Sequence, residues 1–96
     1  MKVLVTGGSR GIGKAIVERF LGADHSVYYP SRQELDLSTK VILPHTNFDV
    51  VINNAGINPV KSIDEISNEV VMRVNYFSPL EIIQQCLPYM VSQKFG

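Results

Sequence analysis

Two kinds of apolar spacing alternate along this chain. Val3, Leu4 and Val5 form an unbroken apolar run, the pattern of a strand buried on both faces as in parallel sheets. From about Gly11 to Leu21 the spacing becomes helical, with Ile12, Ala15, Ile16 and Phe20 expected on the inner side and Lys14, Glu18 and Arg19 toward water. Gly22 is placed to end that helix with a left-handed cap. Ser26–Tyr29 returns to strand character, so a strand, a helix and a strand follow one another as a βαβ unit with a right-handed crossover.

The following stretch is compressed. Residues 34–36 predict a brief third strand at the sheet edge, and Ser38 an N-cap for a short helix over Thr39–Leu43 that Pro44 stops. Phe48–Asn53 is a second continuous apolar run and predicts the fourth strand. Pro59 and the Ser62–Ser67 region predict a loop, with Asp64 or Ser67 as candidate caps. Val70, Val71, Val74, Phe77, Ile82, Cys86 and Met90 then recur at helical spacing from about Asn68 to Tyr89. Pro79 inside that run lacks the N–H that would bond the Asn75 carbonyl, which predicts a kink with a free acceptor at Asn75.

Chemistry enters between the first strand and the first helix, at Thr6-Gly7-Gly8-Ser9-Arg10-Gly11-Ile12-Gly13. A helix N-terminus presents unpaired N–H groups and about half a positive charge, and glycines let backbone approach a phosphate closely. The strand before and the helix after make dinucleotide binding the reading of this stretch, ahead of a plain tight turn.

Composition narrows the remaining classes. With 45% hydrophobic and 19% charged residues the 96-residue chain is that of one ordinary globular domain. Nine basic and nine acidic side chains cancel, leaving no electrostatic case for nucleic acid or an anionic membrane. The single cysteine, Cys86, falls on the apolar stripe and reads as core; His25 and His45 lack partners at metal spacing. No apolar run approaches the ~20 residues of a membrane span, and no signal-peptide pattern precedes the first strand, so the expectation is a cytoplasmic protein.

The glycine loop reads Thr-Gly-x-x-x-Gly-Ile-Gly, and Asn53-Asn54-Ala55-Gly56 follows the later apolar strand. Together they resemble the short-chain dehydrogenase/reductase family, and Asn75 falls where that family carries its helix asparagine. The resemblance covers essentially the whole chain. It implies an α/β, Rossmann-type doubly wound parallel sheet over residues 1–96, of about four strands in order 3-2-1-4 with helices on both faces, and a fifth strand that this chain stops short of. It implies hydride transfer between nicotinamide and a carbonyl or alcohol substrate.

On that resemblance Gly7, Gly11 and Gly13 would supply the turn, with Ser9, Arg10 and the Ile12 N–H near the phosphates. Ser31 and Arg32 stand after the second strand, where a basic residue accommodates a 2′-phosphate, so NADP(H) is expected over NAD(H); Glu34 is the residue that would favour the other cofactor. Asp36-Leu37 resembles the family's acidic residue after the third strand, which hydrogen-bonds the adenine amino group; a helix-capping role for Asp36 is the competing reading. Asn53, Ala55 and Gly56 would run beside the ribose, and Tyr28 or Tyr29 would line the adenine pocket. The backbone carbonyl of Asn75 would hold a water of the proton relay.

The family's chemistry also needs a serine and a Tyr-x-x-x-Lys pair. No tyrosine here has a lysine four residues on: the partners of Tyr28, Tyr29, Tyr76 and Tyr89 are Arg32, Gln33, Leu80 and Gln93. The expectation is therefore the cofactor-binding part of a longer reductase, inactive alone, with the final helix serving homo-oligomerisation. A naturally short, non-catalytic module that binds nucleotide or a partner is the alternative, and charged residues protecting the fourth strand would have favoured it.

Overall fold

Alternation along β1 (Lys2–Val5) decides which helix packs where. The strand pairs in parallel with β2 (Ser26–Tyr28) on one side and β3 (Val50–Ile52) on the other, giving the order β2-β1-β3. Successive side chains point to opposite faces. Val3 and Val5 join Val17 of α1 (Gly11–Gly22), with Ile16, Phe20, Val27, Val50 and Ile52 around them. Leu4 joins Ile82 and Cys86 of α3 (Ser78–Gln93) on the other face, with Leu35, Val41, Leu43 and Phe48. The three strands and two helix layers make an α/β fold, and the computed structural model describes residues 1–58, 61–65 and 67–96 of it. The expected loop at Pro59 lies outside the described residues. Among those residues no helix is long and apolar enough to cross a membrane.

The inner stripe of α1 differs from expectation. Gly13, Ile16, Val17 and Phe20 turn inward, while Ala15 is exposed and Ile12 is 75% exposed. Gly13 brings the helix so close to β1 that Val17, four residues on, becomes the central contact. The left-handed position is Asp24 (φ 63°), not Gly22. Asp24 N–H donates to the Leu21 carbonyl and His25 N–H to the Phe20 carbonyl, so the left-handed cap falls two residues later than glycine placement suggests.

The third strand expected at 34–36 and the helix expected over Thr39–Leu43 are not formed. Local side-chain bonds compete successfully with the sheet edge. Ser31 N–H donates to Glu34 Oε1 (2.9 Å) while Glu34 N–H donates to Ser31 Oγ (3.2 Å). Asp36 Oδ1 accepts from Ser38 N–H (2.9 Å) and Ser38 Oγ–H (2.6 Å), which closes another turn. Residues 40–48 run without regular structure beside α3, and Val41 and Leu43 are buried while Ile42 between them is 77% exposed.

The long final helix spans the expected region, with a wide turn just before Pro79, where the kink is expected. Ser67 caps α2 (Asn68–Met72), its Oγ accepting from Val70 N–H at 3.4 Å. A π-helical turn (Arg73–Phe77) follows, with Ser78 N–H bonded to the Arg73 carbonyl, and it leads directly into α3. Pro79 lies in the first turn of α3. The buried line is Val74, Ser78, Ile82 and Cys86; Val70 and Phe77, expected inward, are 44% and 45% exposed.

Candidate functional site

Parallel strands end together, and β1 lies where the crossovers to its two neighbours leave in opposite directions. Such a point opens a crevice at the carboxyl ends of the strands. Here the crevice encloses about 1000 Å³ and is lined by the loop after β1, the turn after β2 and the loop after β3.

The first wall is built from β1 and β3. Thr6 extends β1 by donating its N–H to the Ile52 carbonyl at 3.1 Å, and its buried Oγ1 accepts from the N–H groups of Asn54 (3.1 Å) and Ala55 (3.0 Å). In return Asn54 Nδ2 donates to the carbonyls of Thr6 (3.2 Å) and Gly7 (3.0 Å). The two loops are thereby tied through backbone groups. Gly7 sits at φ +67°, a conformation that side chains resist, and a Cβ there would lie 3.0 Å from the Ala55 Cα. At Gly13 a Cβ would lie 2.0 Å from the Gly7 carbonyl oxygen, so only glycine lets α1 begin directly over this loop.

The N-terminus of α1 opens toward this wall. Its first turn contains no acidic side chain, so the partial positive charge of the helix end stays uncompensated there. Gly7, Ser9, Arg10 and Gly11 line the crevice. Ile12 and Gly13 do not: the Ile12 side chain faces solvent and Gly13 is buried beneath Gly7.

The opposite wall is the turn after β2. Pro30, Ser31, Arg32, Leu35, Asp36, Leu37 and Ser38 line it. Arg10 and Arg32 thus border one cavity. Hydrogen bonds from Ser38, with the more distant Arg32 charge, hold the Asp36 carboxyl below its usual range, so it is an acceptor at neutral pH. Glu34 is absent from the lining; its carboxylate is engaged by Ser31, and that backbone bond depresses its pKa. Neither Tyr28 nor Tyr29 lines the crevice. Tyr28 instead stacks on Phe48 (6.0 Å between centroids) and contacts His45 (5.0 Å) on the α3 side of the sheet.

Ala55 and Gly56 reach the crevice with Asn54 and Ile57, whereas Asn53 turns away and donates to the Pro79 carbonyl at 3.5 Å. Alternation held the signal: Val50 and Ile52 face α1, so Asn54 continues that face and Asn53 the other. Asn75 lies behind the wall. Its amide pairs with Ile57 in both directions, Oδ1 accepting from the N–H and Nδ2 donating to the carbonyl, each at 2.9 Å. It thereby fixes the loop after β3 against the π-helical turn, while Val70 and Val74 supply the apolar floor.

Comparisons with known proteins agree with this architecture. Residues 33–96 match the family model described as short chain dehydrogenase. The chain is 30% identical to an L-fucose dehydrogenase of Mus musculus, covering 92% of this chain and 43% of that protein. It is likewise 30% identical to a benzil reductase ((S)-benzoin forming) of Saccharomyces cerevisiae, over 97% of this chain and 50% of that one. The chain thus spans about half the length of the curated relatives it matches. The first alignment runs over 118 positions, more than the 96 residues available here, so the relative carries internal residues with no counterpart. Among solved structures, a short-chain dehydrogenase from Sphingobium yanoikuyae in complex with NADPH superposes with a TM-score of 0.82 at 20% identity, covering 99% of this chain and 50% of that one. A 4-hydroxyisoleucine dehydrogenase complexed with NADH gives 0.83 at 19% identity, over 98% and 51%.

Proposed function

The chain belongs to the short-chain dehydrogenase/reductase family, and from that premise we propose that it forms the cofactor-binding part of an NADP(H)-dependent oxidoreductase. The whole enzyme would transfer hydride between nicotinamide and a small carbonyl or alcohol substrate. The single observation that supports this best is the crevice: a helix N-terminus free of acidic residues, a glycine loop and two arginines border one cavity at the strand ends.

In this reading the pyrophosphate lies against Gly7, Ser9 and Gly11, at the N-terminus of α1 where N–H groups point outward. Arg10 and Arg32 take the 2′-phosphate, Asp36 accepts from the adenine amino group beside Leu37, and Ala55 and Gly56 flank the ribose. When bound, the cofactor would supply the hydride chemistry. Asn75, the one member of the family's catalytic set present, would anchor a proton-relay water through its backbone carbonyl; its side chain holds the loop after β3. Tyr76, Leu80, Ile83, Leu87 and Val91 leave an exposed apolar face along the final helix, which suits self-association.

Fluorescence titration of the chain with NADPH and NADH tests the reading. Tighter binding of NADPH, by about tenfold for the added charged contacts, is the expected result. Preference for NADH would remove the role given to Arg10 and Arg32, and failure to bind either would remove the site. No hydride transfer is expected from this chain alone, because no tyrosine is followed by lysine at the fourth position.

A further inference from the structure

The turn wall of the crevice has no sheet to hold it. Residues 36–43 are outside any strand, yet Leu35, Val41 and Leu43 are buried and the backbone groups between them need partners. Those partners come from one face of α3. Ser78, fully buried, donates its hydroxyl to the Leu37 carbonyl at 2.6 Å. Glu81 Oε1 accepts from Val41 N–H at 2.9 Å. Gln85 does two things at once: Oε1 accepts from Leu43 N–H (2.9 Å) and Nε2 donates to the Val41 carbonyl (2.7 Å).

Positions 78, 81 and 85 lie on one side of a helix. Gln85 presents a carbonyl and an amide to alternate backbone groups, as a neighbouring strand would. Glu81 is itself held by Arg73, whose guanidinium pairs with Oε2 and also donates to Ser78 Oγ at 3.4 Å. The three α3 side chains therefore act as a substitute strand, and the segment they hold begins with the crevice residues Asp36, Leu37 and Ser38. Ser78 reaches the very residue that follows Asp36.

We infer that Ser78, Glu81 and Gln85 are positioning residues for the adenine end of the cofactor: they hold the Asp36–Leu37 wall at the distance that lets the Asp36 carboxylate read the adenine amino group. This rests on the cofactor reading above. Asp36 Oδ1 is engaged by Ser38, so the carboxylate is oriented locally, but nothing within the turn sets how far the turn stands from the opposite wall. That distance is set by the packing of Leu35 into the core and by the bonds from α3. Loosening the α3 contacts should therefore weaken discrimination of the base rather than only the affinity.

The test uses calorimetric titrations with NADPH and with its hypoxanthine counterpart, deamino-NADPH, which lacks the amino group. The wild-type chain is expected to favour NADPH by about tenfold, the scale of one hydrogen bond to a charged acceptor. Gln85→Leu and Ser78→Ala should lower that ratio to about threefold or less, while Gln84→Ala, on an exposed position of the same helix, should leave it unchanged. General destabilisation would lower both affinities together and not move the ratio. Should Gln85→Leu not fold, Gln85→Glu keeps the acceptor for Leu43, removes the donor to Val41, and is expected to lower the ratio less. Variants that bind NADPH with the wild-type ratio would overturn the positioning role and leave the cofactor reading standing. A wild-type chain that binds neither compound would overturn both.

Discussion

The two walls of the crevice are made in different ways. The wall of Thr6, Gly7, Asn54 and Ala55 is continuous with the sheet: its hydrogen bonds join the ends of adjacent strands, each linking a backbone group to one of two short side chains, Thr6 and Asn54. The wall of Ser31–Ser38 forms no strand of the sheet and rests on the core through Leu35. It is shaped by turns of its own and secured from α3, by Ser78 at Leu37 and by Glu81 and Gln85 further along at Val41 and Leu43. A phosphate tolerates little error in the position of the N–H groups around it, and the sheet supplies that rigidity. The base needs a wall of suitable height, and a side-chain tether can set it.

If the first wall depends on backbone approach, enlarging a glycine there should be the most damaging change. Gly13→Ala is expected to destabilise the fold by about 3 kcal/mol, because the added methyl meets the Gly7 carbonyl rather than a movable side chain. The check is a lowered urea midpoint at unchanged slope. Thr6→Val comes next. Valine keeps the volume but leaves the N–H groups of Asn54 and Ala55 without their acceptor, a loss of about 2 kcal/mol by the same measurement. A Thr6→Val protein as stable as wild type would show that the loops are not tied through that hydroxyl.

The second wall should respond to acid. The Arg73 guanidinium and then the Val41 N–H favour the charged form of Glu81 and hold its carboxyl below the usual carboxylate range. A carboxyl depressed in the folded state contributes stability above its unfolded pKa, and that contribution is lost as pH falls through the folded value. In an NMR titration the Val41 amide should therefore shift with a midpoint below the ordinary glutamate value, and Glu81→Gln should abolish the step. A midpoint at or above the ordinary value would detach Glu81 from this wall. The effect is the smallest of the three, since the carboxylate is near solvent.

The same contrast explains what could be read from the residues alone. Each half of the first wall carries its own local pattern, although the halves lie nearly fifty residues apart: an apolar run, a glycine loop and a helical spacing follow one another, and Asn53–Gly56 follows a second apolar run. Its departures from the expected lining are of one kind: the Ile12 side chain faces solvent, Gly13 lies beneath Gly7 and Asn53 turns to the other face of β3, while Val17 and Asn54 face inward. The residues of the second wall are legible, since Ser31, Arg32, Asp36 and Leu37 all line the crevice, but the way α3 holds them is not. Val41, Ile42 and Leu43 are all apolar, so the burial of the first and third beside an exposed Ile42 leaves no alternation to see. Pairing of Gln85 with Val41 and Leu43 joins positions more than forty residues apart, and neither residue type signals it. Apolar spacing predicts a strand at residues 34–36 because it does not register the reciprocal bonds of Ser31 with Glu34 or the two bonds that Ser38 donates to Asp36.

The most direct test of the crevice as the cofactor site is residue-by-residue amide chemical-shift mapping of the ¹⁵N-labelled chain during titration with NADPH. Saturable shifts are expected at Gly7–Gly11, at Arg32–Ser38 and at Asn54–Ile57, the three loops that border the cavity, with the outer face of α3 unmoved. Shifts confined to the exposed Tyr76–Val91 face, or none at saturating NADPH, would contradict it.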